Sequence, residues 1–189
     1  DWAGNLLTRI AIPDMEQSIH SDVSFSNRFA AIRTGITWRN FGDIVGGDTT
    51  GQQVPTGYDE FDHDFKGKVF ISPGSSLTIL YQSVSQKDVP VYHKIVLENY
   101  AINRTDPQKR KLGYLRFNHD FNTGFLKSAV LTASLQESRE GRESQKNGSD
   151  ILRNEYDKVR TLGFSAEAIV SDNDLWSGTM GLEFYSDLV

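Results

Sequence analysis

Apolar and polar residues alternate one for one along much of this 189-residue chain, and that pattern leaves few folds open. It is clearest from Tyr58 to Ser72. Phe61, His63, Phe65, Val69 and Ile71 fall on one side of an extended chain, with Gly67 among them, while Glu60, Asp62, Asp64, Lys66 and Lys68 fall on the other. A period of two belongs to β-strands, because successive side chains point to opposite faces. The helical period of 3.6 is nearly absent. Ile19, Val23 and Phe25 oppose His20, Asp22, Ser24 and Ser26, and Ala30, Ile32, Ile36 and Trp38 oppose Arg33, Thr37 and Arg39. Leu115, Phe117 and Phe121 oppose Arg116, Asn118 and Asp120. The same pattern returns around Ala129–Leu135, Leu162–Val170 and Trp176–Phe184, and more weakly from Ser76 to Ser85, where Leu80 and Val84 intrude on the polar side.

The links between these segments alternate in length. Short ones, rich in turn residues, fall at Ser26–Phe29, Pro73–Ser75, Asn122–Gly124 and Ser171–Asp174. Long polar ones fall between them at Gly42–Gly57, Lys87–Lys109 and Ser138–Asn154. An outer-membrane barrel has short periplasmic turns and long extracellular loops. The expected fold is therefore all-β: an antiparallel up-and-down transmembrane β-barrel fragment of about eight strands. In hydrocarbon every backbone N–H and C=O must be paired internally, which restricts spanning structures to helices and closed sheets. Tilted strands of about 9–11 residues cross a bilayer, and the apolar segments have about that reach. Trp38, Phe61, Phe65, Phe121, Trp176 and Phe184 lie toward strand ends, where an interfacial girdle would stand.

Charge and composition exclude other classes. A net charge of −5 without a basic run argues against a nucleic-acid partner, and the absence of cysteine removes disulfides and thiolate metal sites. The hydrophobic fraction of 38% would suit a soluble protein, but alternating strands average out to the same value. No apolar run approaches the ~20 residues of a membrane helix. Asp1-Trp2-Ala3-Gly4 carries no signal-peptide features, and Glu183-Phe184-Tyr185 still reads as strand, so the chain is expected to be a fragment or a mature form.

Several stretches resemble a known family. Trp38-Arg39-Asn40-Phe41-Gly42-Asp43 precedes a Gly-rich loop, which leads into Tyr58-Asp59-Glu60-Phe61-Asp62. A strand then ends in Tyr81-Gln82 before Asp88-Val89-Pro90-Val91-Tyr92, and Ser134-Leu135-Gln136-Glu137-Ser138-Arg139-Glu140 runs up into a polar segment. Together these resemble the barrel of TonB-dependent outer-membrane receptors. Gly4-Asn5-Leu6-Leu7-Thr8-Arg9 resembles the strand that closes the family's plug domain. The resemblance implies residues 1–13 as the end of a plug with its linker and residues 14–189 as the N-terminal part of a barrel in the bacterial outer membrane. It implies a receptor that binds a scarce nutrient (an iron-siderophore, haem, cobalamin or an oligosaccharide) and imports it with energy relayed by the TonB protein. The partners implied are TonB, that small-molecule or oligosaccharide ligand, and the lipid bilayer. The alternative is a soluble or surface-exposed β-sandwich that binds a ligand or carbohydrate, with its apolar faces packed between two sheets.

Candidate sites are few. Tyr92, His93, Tyr100 and Arg104 share the second long link, where aromatics and cations could hold an anionic ligand by stacking and charge. His63 and His119 fall on apolar faces and read as interfacial rings, and His20 reads as a solvated residue of the polar face. Asp62-His63-Asp64 looks like a chelating triplet, but strand geometry sends His63 to the face opposite both carboxylates. Glu137, Glu140 and Glu143 are interleaved with Arg139 and Arg142 and read as mutually paired charge. No Walker loop, nucleophile elbow or His-Glu-x-x-His occurs, so neither catalysis, a cofactor nor a metal centre is expected.

Overall fold

A computed structural model describes residues 1–12, 15–121, 124–172 and 176–189. In chain order the strands are β1 (Trp2–Ala11), β2 (Glu16–Ser26), β3 (Ala30–Phe41), β4 (Val45–Gly46), β5 (Gly51–Gln52), β6 (Tyr58–Ser72), β7 (Ser75–Lys87) and β8 (Val89–Pro90). The helix α1 (Tyr92–Leu97) follows, then β9 (Tyr100–Asp120), β10 (Leu126–Lys146), β11 (Arg153–Asp172) and β12 (Trp176–Leu188). The nine long strands form one up-and-down antiparallel sheet in the order β1-β2-β3-β6-β7-β9-β10-β11-β12. The two-residue β8 lies beside β9, and β4 pairs with β5 in a separate small hairpin. The eight strands expected after residue 14 are all present. The sheet is open: β1 and β12 are its free edges, so the barrel of the sequence reading is not closed within this chain.

The segment that resembles the end of a plug is β1, which pairs with β2 from Trp2↔Phe25 to Ala11↔Glu16 in the same sheet. The boundary expected at residues 13 and 14 lies outside the described residues. So do Asn122 and Thr123 of one expected turn, and Asn173 and Asp174 of another.

At the short-turn end, Asn27 Oδ1 accepts from the backbone N–H groups of Phe29 and Ala30, both at 2.8 Å, and so closes the β2–β3 turn. At the other end one of the three long links has its expected length and two do not. Gly42–Gly57 is a true excursion between Phe41 and Tyr58, folded around the β4–β5 hairpin. The other two are shorter, because β9 starts at Tyr100, β10 continues to Lys146 and β11 begins at Arg153. Backbone pairing does not require apolar side chains, and Arg142↔Glu155 and Glu143↔Arg104 set opposite charges across the ladder. The strands therefore go on where the alternation of apolar residues stops.

Burial is inverted relative to a water-soluble domain. The buried polar residues Glu16, Asp22, Thr37, Ser76 and Thr78 all belong to the polar face, with Asp22 8% and Thr78 6% exposed. The apolar face stays open: Ile36 is 50% exposed and Leu182 66%. Val170 is the one buried hydrophobic residue among those described. The polar face is thus the more shielded of the two, with long ion-paired side chains such as Arg39 and Glu60 among its short residues. At Gly35 that crowding is direct, since Asp64, His20 and Asp22 fill the space a side chain would take.

Candidate functional site

The four loop residues fall on two neighbouring elements, since the Val91 N–H just before α1 donates to the Asn103 carbonyl of β9 at 2.9 Å. Tyr92 and His93 open α1, whereas Tyr100 and Arg104 lie on the first turn-side residues of β9. Of the four, only Arg104 reaches the cleft between the two long links. That cleft has a volume of about 250 Å³ and is bounded by Pro55, Gly57, Asp88, Pro90, Ile95 and the start of β9. The Arg104 guanidinium is already engaged. Its Nε and Nη2 donate to Glu143 Oε2 at 2.9 and 2.7 Å, and Nη1 lies 2.6 Å from Asp88 Oδ1. Glu143 first, and Asp88 after it, hold its pKa above the ordinary value. The Tyr100 ring carries the Lys146 ammonium at 5.4 Å from its centre, and Lys94 of α1 is bound at 2.7 Å to Glu98, just past the end of the helix. Cations and aromatics are thus present as expected, but internal partners occupy them.

The cleft owes its shape to a pinned loop. Asp43 Oδ1 accepts from the N–H of Thr56 at 2.7 Å and of Gly57 at 3.0 Å, while the Thr56 hydroxyl donates to the Gln53 carbonyl at 2.8 Å and accepts from the Ile44 N–H at 2.8 Å. Asp43, Thr56, Asp88 and Glu143 were not legible as site residues. Each acts on a partner 12 or more positions away, or on another strand, so no local spacing marks it. What remains is a small cleft with aliphatic and backbone walls and one neutralised guanidinium, suited to seating a polar group of a larger ligand.

The polar face carries a second constellation. Arg39 Nη1 bonds both Glu60 and Asp62, and Gln86 Nε2 donates to Glu60 Oε2 at 2.6 Å. Asp62 Oδ1 is buried and has no hydrogen-bond partner among the described residues. Nearby, Asp22 accepts from Asn5 at 3.3 Å and from Arg33 at 3.4 Å, and His20 Nδ1 lies 2.8 Å from the Thr37 hydroxyl. His63 sits on the other face against Tyr81, at 5.9 Å between ring centres, while Asp62 turns to Arg39, so the sheet separates the middle residue of the apparent triplet from its carboxylates. His119 lies edge-on to Phe121 at 4.4 Å, with its Nδ1 2.7 Å from Ser75 Oγ. Among the described residues no three His, Cys, Asp or Glu side chains are grouped to hold a metal ion. The interleaved acids are paired with cations: Glu137 with Arg139 at 2.6 Å and Glu140 with Arg142 at 2.7 Å.

Comparison with family models, with curated proteins and with solved structures finds no match.

Proposed function

We propose that this chain is part of an outer-membrane β-barrel receptor, with the apolar face of the sheet turned to lipid and the polar face turned to a lumen. The observation that carries this reading is the slope of the apolar band. One row of paired residues crosses the whole sheet on the apolar face: Trp2, Phe25, Ile32, Gly67, Ile79, Leu115, Ala133, Phe164 and Phe184. Six positions above it lie Ile19, Trp38 and Phe61 on β2, β3 and β6, but Lys109, Arg139 and Lys158 on β9, β10 and β11. Four positions below it lie His119, Ala129, Ala168 and Met180 on β9 to β12. The upper limit falls from Ile10 on β1, eight positions above the row, to Leu162 on β11, two above it.

That is a slip of about one residue per strand. With a rise of about 3.3 Å and a strand spacing of about 4.8 Å, it corresponds to a tilt of roughly 30–35°, beside the ~35–45° of membrane barrels. A level hydrocarbon slab crossed by tilted strands produces this slope. The 21 residues of β9 and of β10 would extend for about 70 Å, far beyond a core of about 30 Å, and their charged upper halves would stand in water.

The finer reading is a nutrient receptor whose import is driven through TonB. It is supported by the resemblance of residues 38–43, 58–62, 88–92 and 134–140 to that family, and by the cleft at the long-link end. The ligand would be met there first, by the wall around Arg104, with Tyr92, His93 and Tyr100 on the surrounding surface. Fractionation of cells that express the full-length protein tests the reading. Recovery with outer membranes and extraction only by detergent is expected, and recovery in a soluble periplasmic fraction would overturn it. In the alternative, a soluble ligand-binding sandwich, a second sheet would cover the apolar face. The nine long strands instead share one sheet.

A further inference from the structure

The charged rows at the top of the apolar face are not evenly distributed. Lys111, Glu137 and Arg160 form one row across β9, β10 and β11, and Lys109, Arg139 and Lys158 form the next. Five cations thus surround one carboxylate, on the face that turns to lipid and directly above the end of the apolar band. Glu137 draws in three of them, Arg139 at 2.6 Å, Arg160 at 2.7 Å and Lys158 at 3.4 Å. Neither Lys109 nor Lys111 has a carboxylate within 4.0 Å among the described residues.

Below the cluster the surface is grooved. A depression of about 160 Å³ lies among Ser83, Ser85, Lys109, Lys111, Glu137 and Arg139. It adjoins one of about 200 Å³ that shares Lys111 and Glu137 and reaches Tyr81, Gly113 and Leu135. That in turn meets an apolar groove of about 480 Å³ floored by Gly113 and Ala133 and walled by Ile79, Tyr81, Leu135 and Leu162. The result is a continuous slot, cationic and hydroxyl-lined at the top and apolar below. Glycine at 113 and alanine at 133 leave the trough that larger side chains would fill.

We propose that this slot seats one phosphorylated lipid, its phosphate among Lys109, Lys111 and Arg139 and an acyl chain over Gly113 between Tyr81 and Leu135. The proposal rests on the lipid-facing reading of the apolar face. The cations supply an excess of positive charge where a headgroup phosphate would lie, and each basic residue near a membrane surface strengthens anionic-lipid binding about fivefold. Arginine and lysine pair with phosphate oxygens by charge-assisted hydrogen bonds, and Ser83 and Ser85 add hydroxyl donors.

The test is native mass spectrometry of the chain released from zwitterionic micelles, with dioleoylphosphatidic acid, dioleoylglycerol or inorganic phosphate added. Phosphatidic acid is expected to be retained more than tenfold over dioleoylglycerol. The double variant Lys109→Gln/Lys111→Gln, which breaks no ion pair, should lower that retention by more than tenfold. Gly113→Leu should lower it as well while filling only the groove, since a Cβ there meets nothing closer than the Leu80 carbonyl oxygen at 3.7 Å. Equal retention of the two lipids, or no response to the double variant, would overturn the proposal. Inorganic phosphate bound as tightly as phosphatidic acid would overturn the lipid and leave a free-anion site. Flotation with phosphatidylcholine vesicles, run in parallel, separates the two levels. A chain that floats but shows no lipid preference defeats this proposal alone, and one that does not float defeats the membrane reading with it.

Discussion

Phe117 lies at the middle of the apolar stretch of β9, paired with Leu77 and Leu131, whereas Leu162 lies at the upper limit of the band on β11. If lipid covers this face, depth decides what a charge costs. Phe117→Arg should then lose about 2–4 kcal/mol and Leu162→Arg about 0–1 kcal/mol. Urea titration of the chain folded in phosphatidylcholine vesicles reads both. Equal losses would point to burial against protein instead, where an unpaired charge is costly at any depth. A second residue responds to pH. Hydrogen bonds from Arg160 and Arg139, with Lys158 adding to them, hold Glu137 at about 2, well below the ordinary 4.5. A carboxylate with a lowered folded pKa contributes its full stabilisation above the ordinary value and loses it as pH falls toward the folded one. The pairing of β10 with β11 at this level should therefore loosen between about pH 4.5 and 2, and Glu137→Gln should abolish that dependence. Amide exchange at residues 136–140 measures it.

The upper halves of β9 and β10 depend on one close approach. Their register shifts between Glu140 and Arg142, where Asp106 and Pro107 of β9 stand against the single residue Gly141, whose missing Cβ would collide with the Asp106 carbonyl oxygen. Gly141→Ala must move that backbone and should destabilise the upper hairpin by about 1–3 kcal/mol. Faster exchange is expected at residues 139–146, with little change at residues 129–135, and equal effects in both would refute a local role. This hairpin also shows what the sequence could not reveal. Alternation identified the strands wherever one face is apolar, as at Phe61–Val69 and Ala129–Leu135. It stopped at Gln136, so Ser138–Asn154 read as a loop, although the pairs that extend the ladder are Glu143 with Arg104 and Arg142 with Glu155. Opposite charges across strands become visible only once the register is known. The helix α1 was missed for a different reason: six residues are too few to show a period, and no side chain caps its start. At the candidate site Arg104 was legible as a cation, whereas Asp88 and Glu143, which neutralise it, belong to other strands and links.

At the scale of the molecule, the sheet has an open apolar face and two open edges. On β1 Trp2, Leu6 and Ile10 are 74%, 73% and 82% exposed, and the outer row of backbone groups on each edge strand has no ladder partner. Long, flat, apolar edges promote association between chains. In detergent-free buffer the chain should sediment as large assemblies, and micelles should return it to a single small species in analytical ultracentrifugation. A monodisperse monomer without detergent would contradict the lipid-facing reading.

The order of the strands also settles a matter of parity. Every connection between the nine long strands reverses the direction of the chain, so the first and the ninth run the same way. Bringing β12 round to β1 would join two codirectional edges, which an all-antiparallel cylinder forbids. A second copy held at the same orientation in a bilayer offers the same pair of edges and meets the same prohibition. If the sheet belongs to a closed antiparallel ring, an odd number of further strands must complete it, and the one beside β12 would run back to the short-turn side from which β1 sets out.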